Sequence, residues 1–287
     1  MYTTLISVAQ LQALQHSTPA LRIFDCSFDL AQPHAGHAQF LQEHIAGARH
    51  ADLDQHLSTH QDALRVNGGR HPLPQREVFV QWLQSEGVSN DTQVVVYDRN
   101  GMNYCGRLWW MLKWCGHDAV AVLDGGLQAW KAAGAALTSG EAALCEAGQF
   151  TLRDALVKLV DTRTVAANLG DAQTIIDARG APRYRGEVEP LDPVAGHIPG
   201  ALNRPFNTNL NAEGFFKSPE QLRQELTQLL GHRNAQQVVH HCGSGVSAVP
   251  NVLAMEVAGL GRTALYAGSW SEWCSTPNLP VATGENT

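Results

Sequence analysis

The chain has 287 residues, of which 44% are hydrophobic and 16% are charged, and its net charge is −7. This composition is typical of a globular protein, and the acidic balance argues against nucleic acid as a partner. No apolar run reaches the roughly 18 residues of a membrane-spanning helix, and the first residues lack the basic and apolar regions of a signal peptide. We therefore expect a cytoplasmic protein without a membrane partner.

Taken in chain order, the predicted elements form one series of landmarks that occurs twice. In the first half they are RIFD (22–25), HIAGARH (44–50), VVVYD (94–98), the helical pattern CGRLWWMLKWCG (105–116) and VAVLDGGLQAW (120–130). In the second half they are TIIDAR (174–179), HIPGALN (197–203), VVHHC (238–242), the helical pattern AVPNVLAMEVAGL (248–260) and TALYAGSWSEW (263–273). Repetition in one order indicates two copies of one structural unit.

Each copy alternates short strand patterns with helical patterns, which predicts an α/β fold. Strands that are apolar on every residue predict a small, mostly parallel sheet with helices on both faces. We predict two tandem domains, at residues 1–140 and 156–287, joined by a linker at 141–155, where the residues are small or polar without a sustained period.

Cys242 follows a strand pattern and precedes Gly243, Ser244, Gly245 and a helix. This strand–turn–helix pattern directs backbone N–H groups and the positive end of the helix dipole towards the sulfur. Both favour a thiolate, which is the nucleophilic form of cysteine, and such a loop can also hold an anion. A lone cysteine is commonly just a buried apolar residue, but this context favours a nucleophile.

The first half has Asp98 at the position of Cys242, and an aspartate cannot act as a sulfur nucleophile. Matching the two halves makes the first turn one residue longer, so that Cys105 corresponds to Ala248. We therefore predict that Cys105 is an ordinary packed cysteine and that only the second half carries out cysteine chemistry. The six cysteines include no CxxC pair, and the histidines are scattered, so no disulfide framework or metal site is predicted.

Together these motifs resemble the tandem-domain, rhodanese-type sulfurtransferases over nearly the whole chain. The matching motifs are RLWWML (107–112), LDGGLQAW (123–130), DAR (177–179), GHIPGALN (196–203), CGSGVSA (242–248) and GSWSEW (268–273). In that family the loop CRKGVTA is typical of thiosulfate enzymes and CGSGVTA of 3-mercaptopyruvate enzymes. The loop here is of the second type, with Ser247 in place of threonine.

The resemblance implies a catalytically silent first domain and covalent catalysis by Cys242. In the mechanism that the resemblance implies, Cys242 would take sulfur from 3-mercaptopyruvate as a persulfide and pass it to a thiol, cyanide or a thioredoxin-like acceptor. No metal or organic cofactor is implied, because the loop amides stabilise both the thiolate and the persulfide. The loop residues that would contact the substrate are Gly243, Gly245, Val246 and Ser247.

The resemblance also implies a catalytic set beside the nucleophile. Ser244 would act with His71 of RHPLP and Asp54 of ADLDQH, because the departing enolate of pyruvate needs a proton donor nearby. Arg183 matches the family's carboxylate-binding arginine.

The family's second carboxylate-binding arginine has no counterpart in this chain. The corresponding segment is shorter and offers Leu191 and Asp192. Arg179 and Arg185 are alternative candidates for that role.

A cysteine-dependent phosphatase would also use a strand–loop–helix cradle, but it needs C-x5-R, and Ala248 stands where that arginine should be. Three other functions stay open from the sequence: a thiosulfate:cyanide sulfurtransferase, a sulfur-relay protein loaded by a desulfurase, and a binding module that has lost activity.

Overall fold

The computed structural model describes residues 1–18, 20–170 and 173–285. The chain forms two compact units. The first comprises Met1–Leu64, Pro74–Leu156 and Ala212–Phe216, and the second comprises Arg65–Leu73, Val157–Asn211 and Lys217–Thr287. Two short segments, 65–73 and 212–216, thus belong to a different unit from their neighbours in sequence.

The first unit contains seven strands and five helices in the described residues. The strands are β1 (Leu5–Ile6), β2 (Leu21–Asp25), β3 (His44–Ile45), β4 (Ala48–His50), β5 (Gln93–Tyr97), β6 (Val120–Leu123) and β7 (Leu137–Thr138). The helices are α1 (Val8–Ser17), α2 (Ala35–Gln42), α3 (Arg76–Ser85), α4 (Cys105–Trp114) and α5 (Gly126–Ala132). Five strands form a parallel sheet in the order β1-β6-β5-β2-β4, and β3 pairs with β7 in antiparallel orientation.

The second unit contains five strands, five α-helices and two 3₁₀ helices in the described residues. The strands are β8 (Lys158–Val160), β9 (Thr174–Asp177), β10 (Leu202–Asn203), β11 (Val238–His241) and β12 (Ala264–Tyr266). The α-helices are α6 (Thr162–Ala167), α7 (Ala181–Tyr184), α8 (Pro219–Leu230), α9 (Val249–Val257) and α10 (Ser269–Trp273), and the 3₁₀ helices are Phe206–Asn209 and Ala235–Gln237.

The sheet of the second unit is parallel, with the order β8-β12-β11-β9-β10. This order repeats that of the first unit strand for strand, which confirms the internal repeat and the predicted α/β class. Every residue of β5 and of β11 is buried, although successive side chains of a strand point to opposite faces. Both faces of each sheet are therefore covered.

Local signals define several helix starts. Ser7 forms a capping box with Gln10 at the start of α1, and Ser218 caps α8 just before a proline at its first position. The apolar strand residues pack with buried aromatic side chains, including Trp130 in the first unit and Trp270 and Trp273 in the second. Among the described residues, no helix combines the length and apolar character needed to span a membrane.

Candidate active site at the Cys242 turn

Cys242 leaves β11 and begins the turn that leads into α9, and its side chain is buried, with only 1% exposed. The N–H of Trp270 donates to the carbonyl oxygen of Cys242 at 3.0 Å, and the N–H of Ser271 donates to that of Gly243 at 2.9 Å. Gly245 has φ +76°, and a Cβ there would lie 2.4 Å from the carbonyl oxygen of Ala267. The turn is thus fastened to the start of α10 and requires glycine at this position.

Ser269 holds the main chain of Cys242 in place. Its Oγ accepts the N–H of Cys242 at 3.1 Å and donates to the carbonyl oxygen of Tyr266 at 2.9 Å. Ser269 is fully buried and has φ +55°, a left-handed conformation that costs a non-glycine residue about 1–2 kcal/mol. Sequence reasoning missed this residue. The signal available in the sequence was a serine at the position where the first half has Gly126. In the structure Gly126 also has positive φ.

The corresponding turn of the first unit surrounds an internal carboxylate. Asp98 Oδ1 accepts the N–H groups of Asn100 and Met102 at 2.8 and 2.9 Å, and Oδ2 accepts those of Tyr104 and Cys105 at 2.8 and 2.9 Å. Burial raises the pKa of Asp98, and these four N–H groups oppose that rise. A turn of this kind therefore presents several amides to a single anion.

The two turns have the same length. Helix α4 begins at Cys105, seven residues after Asp98, and α9 begins at Val249, seven residues after Cys242. The prediction of a longer first turn is wrong, and Cys105 corresponds to Val249 rather than to Ala248. The geometry of the strand-to-helix connection is common to both units, and the side chains differ. Cys105 is fully buried, as expected for a packed cysteine.

The structure brings Ser244 and His71 together within the second unit. His71 Nδ1 lies 2.7 Å from Ser244 Oγ, and each residue is only 6% exposed. The neighbouring Arg70 N–H donates to Ser271 Oγ at 3.1 Å, which ties the 65–73 segment to α10. The serine and histidine predicted to act together are therefore hydrogen-bonded and shielded from solvent.

Asp54 belongs to the first unit and is partly buried. Its N–H donates to Asp52 Oδ1 at 2.8 Å. Burial raises the pKa of the Asp54 carboxyl, and the charge of Asp52 raises it further. Its partnership with Ser244 and His71 stays a prediction.

Two guanidinium groups lie beside Gly243. A Cβ on Gly243 would be 2.6 Å from Nη2 of Arg70 and 3.7 Å from both Nη atoms of Arg183. Arg183 donates to Glu189 at 2.7 Å and to Asp192 at 3.2 Å, and Arg70 also donates to Asp192. Arg70 was not among the predicted site residues, although it precedes His71 in the RHPLP motif. It is the second arginine that the structure places beside the loop.

The alternative arginines have other partners. Arg179 is buried, donates to both carboxylate oxygens of Asp177 and to the carbonyl oxygen of Gly196, and lies 4.6 Å from the ring centre of Trp270. Arg185 pairs with Glu187 at 2.7 Å at a more exposed position. Arg179 thus stabilises the fold near the turn through buried hydrogen bonds, and Arg185 forms an ion pair with a residue close to it in sequence.

The buried ion pairs balance charge next to Cys242. Burial would raise the pKa of Asp177, but His241 and Arg179 outweigh it, and the pKa is lowered. Burial would likewise lower the pKa of Arg179, but Asp177, Glu189 and the Cys242 sulfur raise it. Arg179 therefore stays charged.

The remaining loop residues follow Gly245 in the same turn. Val246 is buried, and its carbonyl oxygen accepts the N–H of Val249 at 3.0 Å, while Ser247 is partly exposed. Among the described residues, no group of three or more His, Cys, Asp or Glu side chains is placed to hold a metal ion.

Two segments of the chain, residues 7–133 and 154–276, match the model of the rhodanese-like domain. Because these segments cover most of the chain, it belongs to the rhodanese-like family. The resemblance seen in the motifs is confirmed.

Relatives and a solved structure agree with this assignment. A probable 3-mercaptopyruvate sulfurtransferase of Pseudomonas aeruginosa is 45% identical over 287 residues, which are 99% of this chain and 100% of that protein. A thiosulfate sulfurtransferase of Cricetulus griseus is 34% identical over 280 residues, 93% of this chain and 90% of that protein. The structure of 3-mercaptopyruvate sulfurtransferase from Leishmania major has a TM-score of 0.82 at 31% identity, covering 96% of this chain and 76% of that chain.

Proposed function

We propose that this chain transfers sulfur from 3-mercaptopyruvate to a thiophilic acceptor through a persulfide on Cys242. The observation that carries this proposal is the buried Ser244–His71 hydrogen bond at 2.7 Å, two residues along the turn from the nucleophile. The identity of 45% to a relative named for this donor supports it.

The first step forms one bond and breaks another. The Cys242 thiolate attacks the donor sulfur, and the sulfur–carbon bond of 3-mercaptopyruvate breaks. The electron pair of that bond remains with the carbon, so that the enolate of pyruvate leaves and takes up a proton. The persulfide stays on Cys242 in the turn, whose counterpart in the first unit gathers four N–H groups around one anion.

The Ser244–His71 pair supplies the proton path for the departing enolate. A hydroxyl bonded to a buried imidazole can donate a proton towards the donor and recover it from the histidine. Both side chains are held in the second unit, because the segment that carries His71 is tied to α10 through Ser271. Asp54 completes the catalytic set as we propose it.

Arg183 and Arg70 bind the carboxylate of the donor, and Gly243, Gly245, Val246 and Ser247 form the loop beneath it. A glycine at position 243 leaves room for both guanidinium groups, since a Cβ there would crowd Arg70 at 2.6 Å. Planar guanidinium groups match a carboxylate with paired hydrogen bonds.

The second step returns the enzyme to its starting state. A thiol, cyanide or a thioredoxin-like acceptor attacks the outer sulfur, the S–S bond breaks, and the Cys242 thiolate is the leaving group. The cycle needs neither a metal nor an organic cofactor, because the sulfur carrier is the cysteine itself.

Thiosulfate is a second candidate donor. The loop residues Gly243 and Ser244 carry no charge, yet Arg70 and Arg183 bring positive charge to the same place from other segments. The Cricetulus griseus relative is named for this donor. Asp192 and Glu189 neutralise the two arginines, which disfavours a dianion more than a monoanion.

Initial rates with the two donors and one acceptor test the proposal. We expect a higher kcat/KM for 3-mercaptopyruvate than for thiosulfate, by about 30-fold if two neutralised charges each contribute about 1 kcal/mol. A preference for thiosulfate would overturn the assignment of the donor. Persulfide formed only with a desulfurase would indicate a relay protein, and no persulfide under any condition would indicate an inactive binding module.

A further inference from the structure

An acidic residue of the chain itself occupies the arginine pair beside Gly243. The Asp192 carboxylate accepts hydrogen bonds from Arg70, and from Arg183 at 3.2 Å, and its side chain is only 2% exposed. It therefore makes with its two oxygens the contacts that a donor carboxylate would need.

The segment around Asp192 is held in place by Glu189. Glu189 Oε1 accepts the N–H groups of Leu191 and Asp192 at 3.1 and 3.2 Å and pairs with Arg183 at 2.7 Å. The neighbouring Val188 and Leu191 are 49% and 44% exposed. The segment is thus anchored by its acidic side chains, whereas its apolar side chains have little packing to resist movement.

Arg70 lies at the edge of a cavity. Arg70 Nε is buried and has no hydrogen-bond partner among the residues that the structure describes. A cavity of about 440 Å³ is lined by Arg70 and Asp192 together with Ser271 and Glu272 of α10. An anion that enters this cavity meets Arg70, but it also meets the negative charge of Asp192.

We propose that Asp192 determines specificity for the donor as an internal competitor. An anionic donor binds the arginine pair only by displacing the Asp192 carboxylate. This inference rests on the proposed function for the identity of the donor, but the competition itself concerns any small carboxylate that reaches Cys242. Its consequence is weaker binding of anionic donors, with little effect on the chemical step.

Alkylation of Cys242 by iodoacetate and by iodoacetamide tests the competition without sulfur transfer. The two reagents are nearly isosteric and both release iodide on attack by the thiolate, but only iodoacetate carries a carboxylate. We expect Asp192→Asn to raise the ratio of the iodoacetate rate to the iodoacetamide rate about ten-fold, equal to about 1.4 kcal/mol. Mass spectrometry of the Cys242 peptide resolves this site from the other cysteines.

Two further variants make the result decisive. Asp192→Ser provides a second neutral side chain with the same expected ratio, should the asparagine variant fold poorly. Glu187→Gln removes an acid that pairs only with Arg185 among the ion pairs of the described residues, and it should leave the ratio unchanged. A ratio that stays level or falls in the folded Asp192 variants would overturn the proposal.

Steady-state kinetics supply the readout for the donor. In Asp192→Asn the KM for 3-mercaptopyruvate should fall about ten-fold while kcat stays within about two-fold, since the competition affects binding alone. A fall in kcat without a fall in KM would show that Asp192 only supports the fold. A wild-type chain inactive on 3-mercaptopyruvate would overturn the proposed function, and the alkylation ratio would still decide on Asp192.

Discussion

The Asp98 turn of the first unit and the Cys242 turn of the second share one backbone plan and hold different chemistry. Each follows the central strand of a five-stranded parallel sheet and leads into a helix seven residues later. In each, a backbone N–H from the segment after the next strand donates to the carbonyl oxygen of the first turn residue. Leu127, which follows Gly125 and Gly126, donates to Asp98 at 3.1 Å, and Trp270, which follows Gly268 and Ser269, donates to Cys242 at 3.0 Å.

The difference lies in what the turn encloses. The first turn is filled by the Asp98 carboxylate, which takes four backbone N–H groups and leaves no reactive group at the centre. The second turn encloses the Cys242 sulfur. Ser269 holds the main chain of Cys242, and the first unit has Gly126 at the position of Ser269. The comparison shows that an anion-binding turn becomes a candidate catalytic site through a few side chains and without a change of fold.

The largest expected effect follows from removing the sulfur. Cys242→Ser should fold normally and lose sulfur transfer by roughly a thousand-fold or more, because an alkoxide is not available at neutral pH and oxygen cannot carry the persulfide. Persulfide detection by mass spectrometry and initial rates measure the loss. Cys274→Ser, at a partly buried cysteine, is the matched control and should retain activity. Turnover of the Cys242 variant at a tenth of the parent rate would refute the assignment of the nucleophile.

Removing the hydroxyl of the second turn should have the next largest effect. Ser244→Ala should slow 3-mercaptopyruvate turnover about 10- to 150-fold, the equivalent of roughly 1.5–3 kcal/mol for one hydrogen bond to a charged group. Thiosulfate turnover should fall less, because its leaving group needs no proton at carbon. His71→Ala should follow the same pattern, and the double variant should be little worse than either single variant, since the pair acts as a unit. Equal losses of turnover with both donors would mean that Ser244 only shapes the loop.

Changing Ser269 to the residue of the first unit tests the role of its strained backbone. Ser269→Gly removes the hydroxyl bonded to Cys242 and also relieves the cost of positive φ, so the free energy of unfolding should change by less than about 1 kcal/mol. The kcat should fall about five- to ten-fold, because the main chain of Cys242 loses its anchor. Ser269→Ala keeps the strain and loses the bond, and it should be less stable than the glycine variant. Unchanged kcat in Ser269→Gly would show that the hydroxyl serves stability alone.

The smallest expected effect is on the pH dependence of stability. It concerns the residue two positions before Asp98 or Cys242, which is Val96 in the first unit and His240 in the second. His240 is fully buried, and its ring nitrogens have no hydrogen-bond partners among the described residues. Burial, together with His241 and Arg204, lowers the pKa of His240 to about 3. Its ring stays neutral in the folded state, whereas the unfolded chain takes up a proton below about pH 6.5. Its contribution to stability is therefore full above pH 6.5 and is lost as the pH falls towards 3.

His240→Val should weaken this acid sensitivity. Urea unfolding at pH 7.5 and at pH 5.5 should show a loss of stability that is about 1 kcal/mol smaller in the variant than in the parent, since each pH unit below the unfolded pKa costs up to about 1.4 kcal/mol. The same loss of stability in parent and variant would mean that water or a neighbouring group already forms hydrogen bonds with the His240 ring.

The sequence by itself determined the class of the fold, and it predicted Cys242 as the nucleophile. Both rest on local signals: strands that are apolar on every residue, helical periodicity, and glycines next to Cys242 that fit a strand-to-helix turn. The repeat added a comparison within the chain, so that Asp98 marked the first turn as different from the second. The predicted domains at 1–140 and 156–287 and the role of Asp54 stay predictions.

Only the tertiary structure decided which side chains surround the Cys242 turn. It joined His71 to Ser244 across 173 residues of sequence and Arg70 to Asp192 across 122, and it revealed the strained serine behind Cys242. It also showed that the two turns are equal in length. Such contacts leave no periodic trace in the sequence, because they join irregular segments whose positions are set by the packing of whole elements rather than by the local preferences of their residues.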